Sequence, residues 1–237
     1  MWKPIGFLED LPSRRALHVG VRLGPPSHHS SFAVIETNAD DVLKLLHLER
    51  HSGTYPKIVE KLENLLGRLP ETEIVALDVT VVGRAVTDLF LRAEIDAAIS
   101  ARTVVESRTE ASGYNVKPSV DLISNLVVLF QTGNLRIPSD LSHAKELEKA
   151  LATTRADGSA VDDRESDLIF AVAWAADLAQ ASLAGDREFE AYARAYGLDP
   201  DEIRRQARQR LNGDELPDGV YQDEVGNTLT VRGRSKR

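Results

Sequence analysis

Two aspartates lie at the boundaries of predicted buried elements. Asp78 ends the apolar run EIVALD, just before a turn at Val82 and Gly83, and Asp167 begins the apolar stretch DLIFAVAWAADLAQASLA. Hard divalent cations bind carboxylate oxygens that converge from separate elements, and strand ends supply such convergence on a rigid sheet. Two such cations, about 3.5 to 4 Å apart, bind the attacking and leaving oxygens of a phosphodiester. These residue types at these places therefore suit metal-dependent phosphodiester hydrolysis.

Other polar residues give weaker evidence for a functional site. His28 and His29 lie in a predicted turn, where exposed histidines are common, although imidazoles also bind metals. His18 lies within the first predicted strand, where we expect a core or sheet-face histidine, and Trp174 should belong to the core. Lys117 precedes a helix that begins with proline. It is a candidate contact for a DNA phosphate, and it equally fits a solvated surface residue.

The elements that must position these residues begin with three strands. LHVGVRL is a buried strand, followed by a turn of Gly24, two prolines and Ser27. Residues 32–36 and 42–49 give two more short apolar runs. The first fifty residues therefore predict an antiparallel meander.

After Thr54 the pattern alternates between helices and strands, which is typical of an α/β domain. Gly133 is placed to cap the third helix, and the last helix is apolar on almost every side, as expected of a helix packed between a sheet and other helices. In order, the predicted elements are a helix at 54–70, a strand at 73–78, a helix at 83–92, a strand at 103–106 and helices at 118–133, 142–153 and 167–184.

The C-terminal part has a different pattern. Residues 187–196 and 200–211 predict two smaller helices, and residues 220–231 predict at most a small hairpin around Gly226. We therefore expect four parts along the chain. These are an N-terminal arm at 1–16, a main domain at 17–184, a helical appendage at 185–212 and a flexible tail at 213–237.

Composition restricts the function classes. The 237 residues are 42% hydrophobic and 28% charged, enough for one sizeable α/β core. Because the chain has no cysteine, disulfides, thiolate zinc sites and cysteine nucleophiles are excluded, and any metal must be held by carboxylate or imidazole. We find no stretch of about 18 apolar residues and no signal-peptide pattern. We therefore expect a cytoplasmic protein that contacts no membrane.

The formal net charge of −8 argues against a surface that binds nucleic acid throughout, because phosphate binding depends on lysine and arginine. The clearest basic stretch contains Arg204, Arg205, Arg208 and Arg210, and we expect it to be a solvated helix face. A contact with DNA would therefore have to be local.

The order of the segments resembles a known family. A strand ending in an acid, a second central strand ending in an acid and an acid at the start of a late helix form the layout of RNase H-like nucleases. From about Leu46 to Ala179 the chain resembles the nuclease domain of the large terminase subunit of tailed phages, which cuts and packages viral DNA. The similar segments are HLERHSGTYPKIVEKLENLLGRLP, ALDVTVVGRAVTDLF, GYNVKPSVDLISNLVVLFQTGNLRIP and SDLIFAVAWAA.

The resemblance implies a fold and a chemistry. The fold is RNase H-like α/β, with a mixed central sheet of an antiparallel meander followed by parallel strands, flanked by helices and followed by a small helical C-terminal appendage. Asp78 and Asp167 would be catalytic ligands of Mg²⁺ or Mn²⁺, and double-stranded DNA would be the substrate. No Gly-x-x-x-x-Gly-Lys-Ser/Thr motif is present, so a separate packaging ATPase or another phage packaging protein would be the partner.

The sequence departs from the family pattern at three places. The family's first strand reads Val-Gly-Val-Asp-Leu-Gly, but VGVRLG puts Arg22 where the metal-bridging aspartate stands. The terminal pair of aspartates is Ser166 and Asp167, with Asp162 and Asp163 just upstream. The Val-Pro-Lys order is transposed to VKP at 116–118.

Arg22 separates the functional hypotheses. A guanidinium at this position would repel a divalent cation and could pair with Asp78 and Asp167. We therefore expect a degenerate active site and a non-catalytic structural or binding module derived from the nuclease.

Two alternatives stay open. In the first, the chain is an active metal-dependent endonuclease in which Asp162, Asp163 or Glu36 substitutes for the missing acid. In the second, VGVRLG belongs to an actin-like ATPase, whose first strand has a similar glycine-rich turn. The absence of a second glycine-rich phosphate loop in the sequence argues against the ATPase.

Overall fold

The computed structural model describes residues 16–25, 27–37, 41–69, 74–93, 95, 97–106, 108–110, 115–154, 166–195, 219–222 and 228–231. The described strands are β1 (Leu17–Arg22), β2 (Ser30–Thr37), β3 (Leu43–His51), β4 (Ile74–Asp78), β5 (Ala98–Val105), β6 (Val116–Pro118), β7 (Leu135–Arg136), β8 (Gly219–Gln222) and β9 (Thr228–Val231). The described helices are α1 (Tyr55–Leu66), α2 (Arg84–Arg92), α3 (Ser119–Gln131), α4 (Ala144–Thr153) and α5 (Ser166–Ala195).

A seven-stranded mixed sheet has the order β6-β5-β4-β1-β2-β3-β7. β1, β2 and β3 pair antiparallel, as the early turns predicted. β4 joins the other edge of β1 in parallel, and β5 and β6 extend the sheet in the same direction. The predicted meander followed by parallel strands is therefore confirmed.

Alternation along the central strands gives the sheet two buried faces. On one face, Val19, Val21 and Leu77 pack with α1 and Phe90 of α2. On the other face, residues such as Ala33 and Ala76 pack with α3, α4 and α5. The site described below lies on this second face, which we call the α5 face.

One extra residue in β3 changes which side chains reach the α5 face. Leu45 pairs with Ile35, but His47 pairs with Val34, so Leu46 is left without a partner in the ladder. Such a bulge reverses the inward and outward alternation after it. As a result Leu48, like Leu45 before it, is buried in the core of the α5 face.

The boundaries of β5 and α5 differ most from the prediction. β5 begins at Ala98 rather than at residue 103, because its first residues pair with the whole of β4 from Ile74 onward. α5 does not end before Gly185 but continues to Ala195. A single glycine costs a helix only about 1 kcal/mol, which strong helix formers on either side compensate. By contrast Gly133, at φ +74°, does follow the end of α3 as predicted.

As expected of the last predicted helix, α5 is strongly apolar. Its first part, Ser166–Gly185, is long and apolar enough to cross a membrane by length and composition, with a mean hydropathy of 1.5. Our expectation that no stretch of this kind exists is therefore wrong. However, 61% of this stretch is buried inside the protein, which is also the property of a core helix.

The chain divides into two compact units, Met1–Leu183 and Ala184–Arg237. In the second unit β8 and β9 pair antiparallel over four residues each, which agrees with the small hairpin predicted at 220–231. The predicted helix at 200–211 and the arginines within it lie outside the described residues.

Candidate functional site

Five neighbouring strands each contribute one polar side chain to a row across the α5 face. In the pairing register Arg22 lies opposite both Ser31 and Asp78, while Arg50 lies beyond Ser31 and Arg102 lies beyond Asp78. Residues that lie directly opposite each other in a sheet share a face. We call these five residues the polar row.

α5 is held unusually close to the sheet beside this row. Gly20 is two residues before Arg22, and a Cβ on Gly20 would lie 2.1 Å from the carbonyl oxygen of Ala171 and 2.6 Å from the nitrogen of Ala175. Only glycine allows this approach of helix backbone to strand backbone. The polar row therefore meets side chains of α5 directly.

Asp78 is fully buried and fully hydrogen-bonded. Its Oδ2 accepts bonds from Nη1 of Arg22 at 2.6 Å and from the indole Nε1 of Trp174 at 2.9 Å. Its Oδ1 accepts bonds from the backbone nitrogen of Thr80 at 3.0 Å and from the Thr80 hydroxyl at 2.5 Å. A carboxylate offers about four lone-pair sites, so these four donors use them all.

Asp167 is bound by a different arginine. Nε of Arg50 donates to Oδ2 at 2.8 Å and Nη2 donates to Oδ1 at 2.9 Å, while the Ser31 hydroxyl donates to Oδ2 at 2.6 Å. Burial by itself would raise the pKa of Asp167, but the hydrogen bonds and charge of Arg50, together with the Ser31 bond, lower it below its ordinary value. The carboxylate is therefore held in its charged form.

Arg50 also joins α4 to the site. Its Nη1 donates to Oε1 of Glu146, and Nδ1 of His143 lies 3.0 Å from Oε2 of the same carboxylate. Burial would raise the pKa of Glu146, but the bonds and charges of Arg50 and His143 lower it overall. One guanidinium thus links β3 with the ends of two helices.

A third group of charges surrounds Asp177, which lies on α5 about one turn past Trp174. Asp177 accepts a bond from Nζ of Lys117 at 2.6 Å, and Nη1 of Arg102 lies 3.9 Å from its other oxygen. The guanidinium of Arg102 lies 5.6 Å from the centre of the Trp174 ring. Phe170 lies on the same helix, and the centre of its ring is 4.9 Å from the guanidinium of Arg22, a cation–π arrangement.

These contacts do not fit a pair of divalent metals. Among the described residues, each carboxylate of the site contacts at least one cation. Asp78 contacts Arg22, Asp167 and Glu146 contact Arg50, and Asp177 contacts Arg102 and Lys117. A hard cation needs free carboxylate oxygens, and those of Asp78 are already used by four donors. No group of three metal-ligating side chains is found in the described part of the chain.

The structure brings together some of the predicted site residues and separates others. Arg22 lies on Asp78 as expected, but the expected second pair, Arg22 with Asp167, is replaced by Arg50 with Asp167. Glu36 pairs with Leu17 at the opposite end of β1, too far to replace an acid at position 22. Asp162 and Asp163 lie outside the described residues. The amine of Lys117 is bound to Asp177, and its contact with DNA stays a prediction.

Sequence reasoning missed Arg50, Ser31, Glu146 and Asp177 as members of the site. Only Asp177 carried a usable signal, because a carboxylate within an otherwise apolar helix generally requires a cationic or hydrogen-bonding partner. Trp174 was correctly assigned to the core, and a buried indole N–H generally requires an acceptor. That requirement pointed to a polar partner that we did not name.

The three histidines considered in the sequence analysis are placed as predicted. His28 and His29 are exposed, and His18 is buried on β1 with its side chain on the α5 face. Burial lowers the pKa of His18 to about 4. Its Nε2 has no hydrogen-bond partner among the described residues.

The folded domain is similar to solved structures of viral nucleases. The large terminase nuclease of the thermophilic phage G20c is 22% identical, with a TM-score of 0.51, and the match covers 71% of this chain and 84% of that one. Its structure with bound magnesium gives the same values. The large terminase of bacteriophage HK97 is 12% identical, with a TM-score of 0.47 and coverage of 70% and 40%.

At the level of sequence, no family model and no curated protein matches. The sheet order, the meander with its parallel extension and the similarity to the G20c nuclease agree with each other and with the resemblance seen in the sequence. The chain therefore has the RNase H-like fold of the large terminase nuclease.

Proposed function

We propose that this chain is a terminase nuclease-like domain that does not hydrolyse DNA and instead serves as a structural or binding module. The observation that carries the proposal is the set of four donors on the buried Asp78 carboxylate, with Arg22 the charged one among them. Ion pairs hold the carboxylates that would otherwise bind Mg²⁺ or Mn²⁺.

The physical argument rests on what a metal would have to displace. To reach Asp78, a cation must remove the Arg22 guanidinium, which is only 13% exposed and lies against Phe170. Breaking a buried ion pair by removing one partner costs about 3 to 5 kcal/mol. The displaced positive charge would also remain nearby and repel the metal.

The proposal includes a biological setting, which the similarity of the fold supports. The G20c protein is a terminase nuclease, and we propose a related setting for this chain, the packaging of viral DNA in the cytoplasm of the host. Its partner would be double-stranded DNA, a separate packaging ATPase or another packaging protein. Because the chain is acidic overall, a contact with DNA would be confined to a local basic surface.

The test combines metal binding with DNA cleavage. The purified chain is titrated with Mn²⁺ by calorimetry, and the same samples are assayed for nicking of supercoiled plasmid. We expect neither saturable binding nor nicking. Saturable binding together with nicking that is lost in Asp78→Ala would instead establish an endonuclease, with Asp78, Asp167 and a substitute such as Asp162 or Asp163 as its acids.

A matched control shows that the comparison is between folded proteins. Circular dichroism of Asp78→Ala must retain the helical signal of the unchanged chain. Asp121→Ala, which removes an acid whose contact with Arg108 is exposed, should behave like the unchanged chain in every assay.

A further inference from the structure

We infer that Arg50 is the second of two side chains that exclude metals from this site, so that restoring an acid at position 22 does not by itself restore metal binding. Arg22 forms an ion pair with Asp78, and Arg50 forms a separate ion pair with Asp167. The inference rests on the proposed function and extends it to a residue whose role no sequence motif indicates.

The two arginines act on different carboxylates. Arg22 donates to Asp78, and no hydrogen bond between Arg22 and Asp167 is found among the described contacts. Arg50 donates to both oxygens of Asp167, which is the bidentate arrangement that binds a carboxylate most strongly. Removing the first guanidinium therefore leaves the second in place.

The bulge in β3 explains how Arg50 reaches this position. Arg50 pairs with Ser31, whose other neighbour in the sheet is Arg22. If Leu46 were paired regularly instead of bulging, simple alternation from Leu45 would point Arg50 away from the α5 face. The bulge thus delivers a second guanidinium to the same row, one strand away from the first.

The side chain of Arg50 is fixed in position by its surroundings. Its side chain is 14% exposed and contacts Glu146 as well as Asp167. Its guanidinium is charged at any ordinary pH, and its hydrogen bonds to these two carboxylates compensate for its burial. A metal at Asp167 would have to displace a cation bound by two acids.

Removing both guanidiniums changes the donor set. In a chain with Arg22→Asp and Arg50→Gln, the carboxylates of Asp78 and Asp167 and the new carboxylate at position 22 come from β4, α5 and β1. Three carboxylates from three elements are the hard oxygen ligands that Mn²⁺ prefers. Glutamine at position 50 keeps a hydrogen-bond donor beside Asp167 but no charge.

The experiment compares four proteins: the unchanged chain, Arg22→Asp, Arg50→Gln and the double variant. Each is titrated with Mn²⁺ by calorimetry after circular dichroism has shown that it is folded. We expect no saturable binding for the first three, and binding by the double variant at least tenfold tighter than any binding by Arg22→Asp. Mn²⁺ should also raise the melting temperature of the double variant alone.

The outcomes separate this inference from the proposed function. Binding of Mn²⁺ by the unchanged chain would contradict the proposed function. If the unchanged chain does not bind, the inference is overturned when Arg22→Asp binds as tightly as the double variant, or when the folded double variant does not bind at all.

A second pair of variants covers the case in which three buried carboxylates prevent folding. Arg22→Asn with Arg50→Gln removes both guanidiniums without adding an acid, and Arg22→Asn with Arg50→Lys keeps the positive charge. We expect Mn²⁺ binding by the glutamine variant and none by the lysine variant. Equal behaviour of the two would overturn the role assigned to the charge of Arg50.

Discussion

The two faces of the sheet are buried by different means. On the face covered by α1 and α2, the central strands present mainly apolar side chains, such as Val21 of β1, Phe32 of β2 and Leu77 of β4. On the α5 face, the residues adjacent to these in the same strands are Arg22, Ser31 and Asp78. The same three strands therefore carry an apolar layer on one side and the charged polar row on the other.

This difference teaches that the charges are not needed to close the sheet. Replacing a buried ion pair by well-packed apolar residues is often neutral or stabilising, so burial alone does not favour the polar row. Under the proposed function, this row at the carboxyl ends of β1 and β4 is an active-site position taken over by ion pairs.

The largest effect should follow the removal of Asp78. Asp78→Leu leaves Arg22 and Trp174 without their acceptor, and we expect it to lower the free energy of unfolding by about 3 to 5 kcal/mol. Urea denaturation measures the loss. The double variant Arg22→Met with Asp78→Leu should recover most of it, because no uncompensated charge remains. A double variant as unstable as Asp78→Leu would show that the ion pair is not the cause.

The next effect concerns pH and the buried His18. Its pKa is about 4 in the folded chain and about 6.5 in the unfolded chain, so the unfolded state binds more protons between these values. The stabilisation is complete above pH 6.5 and falls as the pH decreases toward 4, by about 3 kcal/mol. His18→Leu should lose less stability between pH 7 and pH 4.5.

The other histidines serve as controls for His18. The exposed His29→Gln should retain the pH dependence of the unchanged chain. His47 and His51, on the opposite face, also have pKa values lowered first of all by burial, and they account for the slope that remains in His18→Leu. Asp167, with its lowered pKa, contributes stability that is lost only below its ordinary value of 3.8. Identical pH curves for His18→Leu and His29→Gln would contradict the assignment.

A smaller effect should follow from a methyl group at Gly20. Gly20→Ala places a Cβ against the backbone of Ala171 and Ala175, and we expect a loss of about 1 to 3 kcal/mol because α5 must shift. Thermal denaturation measures it. Gly67→Ala, at a helical conformation with its nearest contact at 3.4 Å, should be neutral or slightly stabilising. Equal effects at both positions would mean that α5 does not depend on this close approach.

The smallest effect is expected at the margin of the charged site. Lys117→Met removes a side chain that is 37% exposed, and Asp177 keeps Arg102 nearby. We expect a loss of about 1 kcal/mol or less, diminishing further in high salt. A loss as large as that of Asp78→Leu would show that the ion pairs are equally important along the row.

Much of the fold could be predicted from the sequence because its signals are local. Turn residues after Leu23 define the meander, and the change from strand to helix periodicity near Thr54 marks the start of the alternation. The continuation of α5 through Gly185 could not be predicted in the same way, because one glycine is a weak signal that its neighbours override.

The site was predictable only where the family resemblance aligned residues. That resemblance placed Arg22 beside Asp78, and the structure has this pair. Arg50 was missed because its partner Asp167 is 117 residues away and because its direction depends on the bulge at Leu46. Simple alternation along β3 predicts the wrong face for Arg50, and no local sequence signal marks the extra residue.

The most direct test of the account is a crystal structure of the chain soaked in Mn²⁺, with an anomalous difference map recorded for the metal. We expect no anomalous peak within bonding distance of Asp78 or Asp167, with the Arg22 and Arg50 guanidiniums still bound to these carboxylates. A manganese peak between the two aspartates, with either arginine displaced, would contradict it.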